Sequence, residues 1–209
     1  MMNIARALLS RITRRGESGQ AVVELALLMP IMLLLVFGVA ELTQAYSVAI
    51  TIGASTREGA RIAGALVNGG LPLGCGGTNS PNAASVDPQI IAAVERVLTA
   101  SGTGVVLADV SEIRIYKSDV NGNEVPTVVN VFTYTPNNDG PIVDGQPLDF
   151  LATTNGWPAC SRSNVNPADP VGVSLRYTYR ARTPLRWLIP GLATIPILDH
   201  SVMDLNASR

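Results

Sequence analysis

The longest unbroken apolar stretch of the chain lies close to its N-terminus. It covers residues 21–40, reads AVVELALLMPIMLLLVFGVA and contains a single charged residue, Glu24. A helix of about 20 residues rises about 30 Å, which is the thickness of the hydrocarbon core of a bilayer. The stretch therefore predicts a membrane-spanning helix, which Pro30 is expected to bend.

Helical periodicity continues beyond this apolar stretch. Along one face, small and apolar residues recur every three or four positions, namely Leu42, Ala45, Ala49, Ile52, Thr56, Ala60, Ala63 and Val67. The pattern predicts one helix over about residues 21–67, which Asn68-Gly69-Gly70 would end. Its second half is amphipathic and rich in small residues, which allow another element to approach the backbone closely.

The remaining residues combine helix, strand and loop patterns. Asp87 and Pro88 predict the start of a helix, and Ser101-Gly102 predicts its end. Period-two alternation predicts four strands, which cover residues 112–116, 127–134, 172–181 and 195–205. Asn121-Gly122 predicts a hairpin turn between the first two strands.

These elements predict an α+β fold class. A long N-terminal helix, whose first half spans the membrane, packs on a small exported antiparallel-sheet domain with one further helix. The segments 68–86 and 135–170 are rich in Gly, Pro, Asn and Asp and are predicted to be loops.

A second apolar segment covers residues 183–196. It is too short, and too interrupted by proline, to span a membrane. Packing against the core, lying at the bilayer surface through Trp187 and forming an interaction patch all remain open.

Charge is distributed unevenly around the apolar stretch. Four arginines precede residue 20, whereas Glu41 follows the stretch directly. Since basic residues stay on the cytoplasmic side, we expect a cytoplasmic N-terminus and an extracytoplasmic C-terminal part. A cleavable secretory signal ending at Gly38-Val39-Ala40 is the alternative, but the length of the stretch and the continuing periodicity favour an anchor.

Composition limits the function further. The chain is 47% hydrophobic and 15% charged, which excludes wholesale disorder. Beyond residue 20 acidic residues outnumber basic ones, which argues against nucleic-acid binding. A single histidine, His200, and two cysteines offer few ligands for a metal or cofactor. We therefore predict a protein that is not an enzyme and holds neither metal nor cofactor.

The two cysteines, Cys75 and Cys160, lie one in each predicted loop segment. An even pair in an exported domain favours a disulfide. Such a bridge would stabilise the fold by about 2–4 kcal/mol, mainly by restricting the unfolded chain.

Glu24 is a costly residue in its surroundings. A carboxylate in lipid costs about 2.5–3.5 kcal/mol at the bilayer centre and less towards the edge. If a peptidase cleaves between Gly19 and Gln20, the new α-amine is cationic at neutral pH, and Glu24 can neutralise it from the same helix or from a neighbouring subunit. The alternative is that Glu24 simply lies at the membrane interface, where a helix N-terminus favours an acid.

Three short segments carry a resemblance to a known family: 19–24 (GQAVVE), 25–30 (LALLMP) and 56–61 (TREGAR). Together with the basic leader, they resemble the TadE-like family, prepilin-like proteins of the tight-adherence (Tad/Flp) pilus system. The resemblance implies cleavage after Gly19 by an aspartyl prepilin peptidase of the membrane and a role for Glu24 in processing or assembly. Leu25 departs from the family pattern, which commonly has an aromatic residue there.

With this resemblance, the sequence predicts three segments and a function. Residues 1–19 are the leader, residues 20–67 the long helix with a span at about 21–40, and residues 68–209 the exported domain. The function it implies is that of a minor pilin or pseudopilin of a Tad-type adhesion or secretion machine. The implied partners are membrane lipid, the prepilin peptidase, other pilin subunits and the Tad secretion machinery. The alternatives are an uncleaved single-pass binding module and a secreted enzyme released at Ala40.

Overall fold

The computed structural model describes residues 2–66, 83–137, 139–163 and 167–205. Contacts divide the chain into two compact units. The larger unit comprises residues 44–180 and 194–209, and the smaller comprises residues 1–43 and 181–193. The first helix contributes residues to both units.

That helix, α1, covers Met2–Ala65 and contains Pro30. The expected start near residue 21 is wrong, because the helix already includes the basic leader. Residues 2–18 contain no proline and are mostly good helix formers, so nothing local stops the helix there. The helix ends within two residues of the expected end, and the predicted stop at Asn68-Gly70 lies outside the described residues.

An antiparallel sheet forms the centre of the larger unit. Its strands are β1 (Val110–Ser118), β2 (Glu124–Tyr134), β5 (Phe150–Asn155), β6 (Pro170–Arg180) and β7 (Thr194–Asp204), and their order across the sheet is β5-β2-β1-β6-β7. The four predicted strands are confirmed. β5 lies in a segment predicted to be loop, where β3 (Ile142–Val143) and β4 (Gln146–Pro147) also form a small ribbon.

The predicted hairpin between β1 and β2 is confirmed. The Asp119 carboxylate accepts the backbone N–H groups of Asn121 and Asn123, each at 2.8 Å. Gly122 has a φ of 87°, a left-handed conformation that glycine adopts without steric cost. These backbone hydrogen bonds hold the pKa of Asp119 below its usual value.

Helix α2 covers Ala83–Leu98. The predicted start at Asp87-Pro88 is wrong: one helical turn precedes Pro88, and Asp87 does not cap the helix. Its carboxylate instead accepts hydrogen bonds from Asn130 (2.6 Å) and from the Arg162 guanidinium (2.9 Å). The two partners lie 43 and 75 residues away in the sequence, beyond the reach of a local pattern.

The core lies between one face of the sheet and two helices. Residues 44–65 of α1 and one face of α2 contribute apolar side chains that are almost fully buried, including Val48, Ile52, Ile90 and Val94. The sheet's contribution includes alternate positions of β6, in keeping with the period-two pattern of this segment; they are Val173, Leu175, Tyr177 and Tyr179. The expectation that α2 and the second half of α1 cover the sheet is therefore confirmed.

The smaller unit combines the first part of α1 with the connection between β6 and β7. The connection contains a four-residue helix, α3 (Leu185–Leu188), and a 3-10 turn over Pro190–Leu192. The N–H of Ala181 donates to the carbonyl of Ala193 (3.0 Å), which closes the connection at its base. The sequence did not predict this local structure.

Candidate functional site

The predicted cleavage site lies within helix α1. Gly19 and Gln20 are both exposed, and a side chain at position 19 would meet no atom within 4 Å. The bond between them is therefore accessible on the helix surface, although it lies in helical rather than extended backbone.

Glu24 is exposed and lies one helical turn beyond Gln20. The side-chain amide Nε2 of Gln20 donates to Oε1 of Glu24 at 2.9 Å. Residues four apart lie on the same helix face, and helical side chains tilt towards the N-terminus. The structure thus brings the Glu24 carboxylate to the level of residue 20, as its predicted role requires.

The surface of α1 beyond Glu24 is apolar and largely exposed. Large apolar side chains are exposed on every side of this part of the helix, among them Leu27, Ile31, Leu35 and Val39. The most apolar window in Gly19–Ala65 has a mean hydropathy of 2.6, and none of it is buried in the fold. Among the described residues, α1 is the helix long and apolar enough to cross a membrane.

The segment 56–61 divides into a buried face and an exposed face. Thr56, Gly59 and Ala60 are buried in the larger unit. A Cβ atom on Gly59 would lie 2.6 Å from Cγ2 of Val94 on α2 and 3.2 Å from Cγ1 of Val173 on β6. Gly59 therefore sits where α1 approaches both elements closely, a packing role that the sequence analysis did not assign.

The charged residues of that segment face outwards. Arg61 pairs with Glu58 at 2.6 Å, and this hydrogen bond holds the pKa of the Glu58 carboxyl below its usual value. Arg57 donates from Nε to the carbonyl of Gly53 at 2.7 Å. Since the Glu58–Arg61 pair is exposed, it contributes little to stability.

A buried polar cluster holds α2 to the segment that follows β5. The Arg162 side chain is 1% exposed and pairs with Asp87 at 2.6 Å. Its guanidinium lies 4.7 Å from the ring centroid of Trp157. Asn130 joins the cluster by accepting the N–H of Trp157 at 2.7 Å. These contacts tie α2 to β2 and to the segment that follows β5.

The remaining candidate residues are His200 and the two cysteines. Within the described ranges, no group of three or more His, Cys, Asp or Glu side chains is placed to hold a metal ion. His200 lies on β7, opposite Ser174 of β6. Cys160 is half-buried in a 3-10 turn, and Cys75 lies outside the described residues, so their disulfide stays a prediction.

An exposed apolar helix followed by an antiparallel-sheet domain is typical of a membrane-anchored protein with a folded body. Residues 19–61 match the family model described as TadE-like protein, which confirms the resemblance seen in the sequence. The match relates the chain to the Tad pilus, and the matched family is not a family of enzymes. No match is found among curated proteins or among solved structures.

Proposed function

We propose that the chain is a membrane-anchored minor pilin or pseudopilin of a Tad-type pilus assembly or secretion system. Residues 21–40 of α1 anchor it, with the N-terminus in the cytoplasm and the sheet domain outside. One observation carries the proposal: the segment that matches the TadE-like model is also the exposed apolar helix that bears Gly19, Gln20 and Glu24.

Processing is the first step of the proposed mechanism. A prepilin peptidase cleaves after Gly19 and removes the arginine-bearing leader. Since proteases bind extended backbone, the helix must unwind locally around the cleaved bond. Glycine costs a helix about 1 kcal/mol relative to alanine, so Gly19 makes this unwinding easier.

Assembly follows from the new chain end. Cleavage leaves a cationic α-amine on Gln20, and the Glu24 carboxylate lies one turn away, already within hydrogen-bond distance of the Gln20 side chain. A carboxylate on a neighbouring subunit can pair with the same amine. Either pairing offsets the cost of two charges at the membrane, and the pairing between subunits also favours their association.

The mature N-terminus tests the processing step. The full chain is produced with and without the prepilin peptidase, and its mass and N-terminal sequence are determined after extraction from membranes. We expect a chain that begins at Gln20 only when the active peptidase is present. An intact leader in assembled protein would contradict the proposal, and a start at Glu41 would support the secretory-signal interpretation.

The charge on Glu24 is tested with a matched pair of variants. Glu24→Gln keeps an oxygen that can accept the Gln20 hydrogen bond but removes the charge, and Leu28→Ala alters an exposed uncharged position on the same helix. We expect Glu24→Gln to insert into the membrane normally and to lose cross-linking to other pilin subunits, while Leu28→Ala retains it. Normal cross-linking of Glu24→Gln would exclude the charge pairing.

A second candidate function is an uncleaved, membrane-tethered binding module. A cavity of about 590 Å³ in the larger unit, lined in part by Asp87, Asn130, Phe132 and Thr154, is the feature that favours it. An intact leader on the functional protein would select this function over the first.

A further inference from the structure

In the smaller unit, large apolar side chains are exposed outside α1 as well. They lie on the connection between β6 and β7. Trp187 is 75% exposed, Leu188 68% and Ile189 41%. They follow one another on and just after α3. In water, three adjacent apolar side chains of this size would be unfavourable, so their surroundings need an explanation.

This connection packs against the apolar part of α1 within the same unit. Pro184, Leu185 and Leu188 line an apolar cavity of about 350 Å³ together with residues of α1 between Pro30 and Phe37. That part of α1 belongs to the stretch long and apolar enough to cross a membrane. Whatever surrounds residues 30–37 also surrounds α3.

Glu41 fixes where the connection starts. Its side chain is almost fully buried, and its two carboxylate oxygens accept the backbone N–H groups of Arg182 (3.1 Å) and Thr183 (2.9 Å). Glu41 ends the apolar stretch, and Pro30 lies 11 residues earlier on the helix, a rise of about 16 Å. The connection therefore runs from one end of the span to about half the thickness of a bilayer's hydrocarbon core.

We propose that residues 184–189 insert into the outer leaflet of the membrane as a second lipid contact beside α1. This inference rests on the proposed function only in that α1 spans the membrane with the Glu41 end of the span outside. The occupant of the exposed apolar surface is phospholipid, because the surface is continuous with the uncovered face of the span.

The local chemistry of the connection suits this position. Backbone N–H groups in lipid must be satisfied internally. Trp187 and Ile189 donate theirs to the carbonyls of Pro184 (3.0 Å) and Leu185 (2.8 Å). Pro184 has no N–H to satisfy. Arg186 is the charged residue of the segment, and its guanidinium lies 5.2 Å from the Trp187 ring centroid, a pair suited to the headgroup boundary.

Tryptophan fluorescence tests the insertion directly. The chain has two tryptophans, and Trp157 is buried in the larger unit. The full-length Trp157→Phe variant is reconstituted into phosphatidylcholine vesicles with or without bromine on the acyl chains. We expect Trp187 to lose most of its fluorescence in brominated vesicles, while aqueous iodide quenches it weakly.

Two matched variants complete the design. Trp187→Phe leaves the buried Trp157, which brominated lipid should not quench. A chain lacking both native tryptophans and carrying Val36→Trp reports on the span itself, because Val36 is exposed on α1. Quenching at position 36 but not at Trp187 would overturn the inserted connection and leave the membrane span intact.

Loss of quenching at both positions would contradict the membrane anchor and hence the proposed function. A Trp187 shielded from both lipid and iodide, and released by dilution of the protein in lipid, would show that a second copy covers the surface. That result would also overturn the proposal. Strong quenching of Trp187 by iodide would place the connection in water and would overturn the proposal as well.

Discussion

Substitution of Gly59 by alanine tests a close contact between α1 and two other elements of the larger unit. The added Cβ would lie 2.6 Å from a methyl group of Val94 and 3.2 Å from one of Val173. Both neighbours are β-branched and buried, so neither can turn away easily. The backbones of α1 and α2 would have to separate.

Gly53 provides the matched control on the same helix. A Cβ there would lie 2.7 Å from Oδ2 of Asp199 and 3.4 Å from a guanidinium nitrogen of Arg57. Both atoms are the far ends of flexible side chains, which can move at little cost. The two glycines thus differ in what surrounds them while sharing the same helical backbone.

The magnitudes follow from two opposing effects. Alanine is favoured over glycine in a helix by about 1 kcal/mol, and this gain applies to both variants. Overpacking a well-filled core costs about 1–3 kcal/mol, and this cost applies to Gly59 alone. We therefore expect Gly53→Ala to be neutral or stabilising by up to about 1 kcal/mol, and Gly59→Ala to be less stable than it by about 1–3 kcal/mol.

The assay is thermal unfolding of the full chain in detergent micelles. Trp157 in a Trp187→Phe background reports on the larger unit, where it is buried. In a protein of this size, 1 kcal/mol changes the melting temperature by about 2–4 °C. A Gly59→Ala variant that melts at or above the temperature of Gly53→Ala would refute the close contact.

Three further predictions concern the larger unit. Burial raises the pKa of Glu95, so the ionised carboxylate disfavours the folded state at neutral pH. The Glu95→Gln variant should therefore have a higher melting temperature than the native chain at pH 7. This difference in melting temperature should vanish as the pH falls through the raised pKa towards about 4. A difference independent of pH would contradict this. Arg162→Ala leaves the Asp87 carboxylate buried without its cation, so it should lower the free energy of unfolding by about 3–5 kcal/mol, and adding Asp87→Asn should restore part of the loss. An undiminished loss in the double variant would refute the ion-pair explanation. Reduction of the predicted disulfide should lower the free energy of unfolding by about 2–4 kcal/mol, measured with and without a thiol reductant, and an unchanged melting temperature would argue against the bridge.

Local sequence patterns were sufficient to predict the strands that bury one face. β6 alternates between buried positions and exposed or half-buried ones over residues 175–180, and the sequence shows the same alternation there. β1, β2 and β7 follow such an alternation only in part. β5 lies at the edge of the sheet, where every residue after Phe150 is exposed. With no buried face along most of its length, β5 leaves no period-two signal.

The residues near the candidate site also differ in whether a local sequence pattern can identify them. Gly19, Gln20 and Glu24 lie within six residues of one another, so a local pattern could identify them. The role of Glu41 could not be identified, because it binds the backbone of residues 141 and 142 positions further on. Any residue except proline supplies a backbone N–H, so such a contact leaves no mark in the composition of either partner.

The matched segment 19–61 therefore carries two unrelated constraints on a single helix. At its N-terminal end, the proposed pairing of Glu24 with a cationic chain end requires an acid at position 24. At its C-terminal end, Gly59 needs small volume because Val94 of α2 and Val173 of β6 lie against it. The sheet beyond residue 61 requires mainly alternation, which many different sequences satisfy. The volume limit at Gly59 falls inside the segment that matches the TadE-like model, and α1 continues to pack beyond that segment through Ala63 and Gly64.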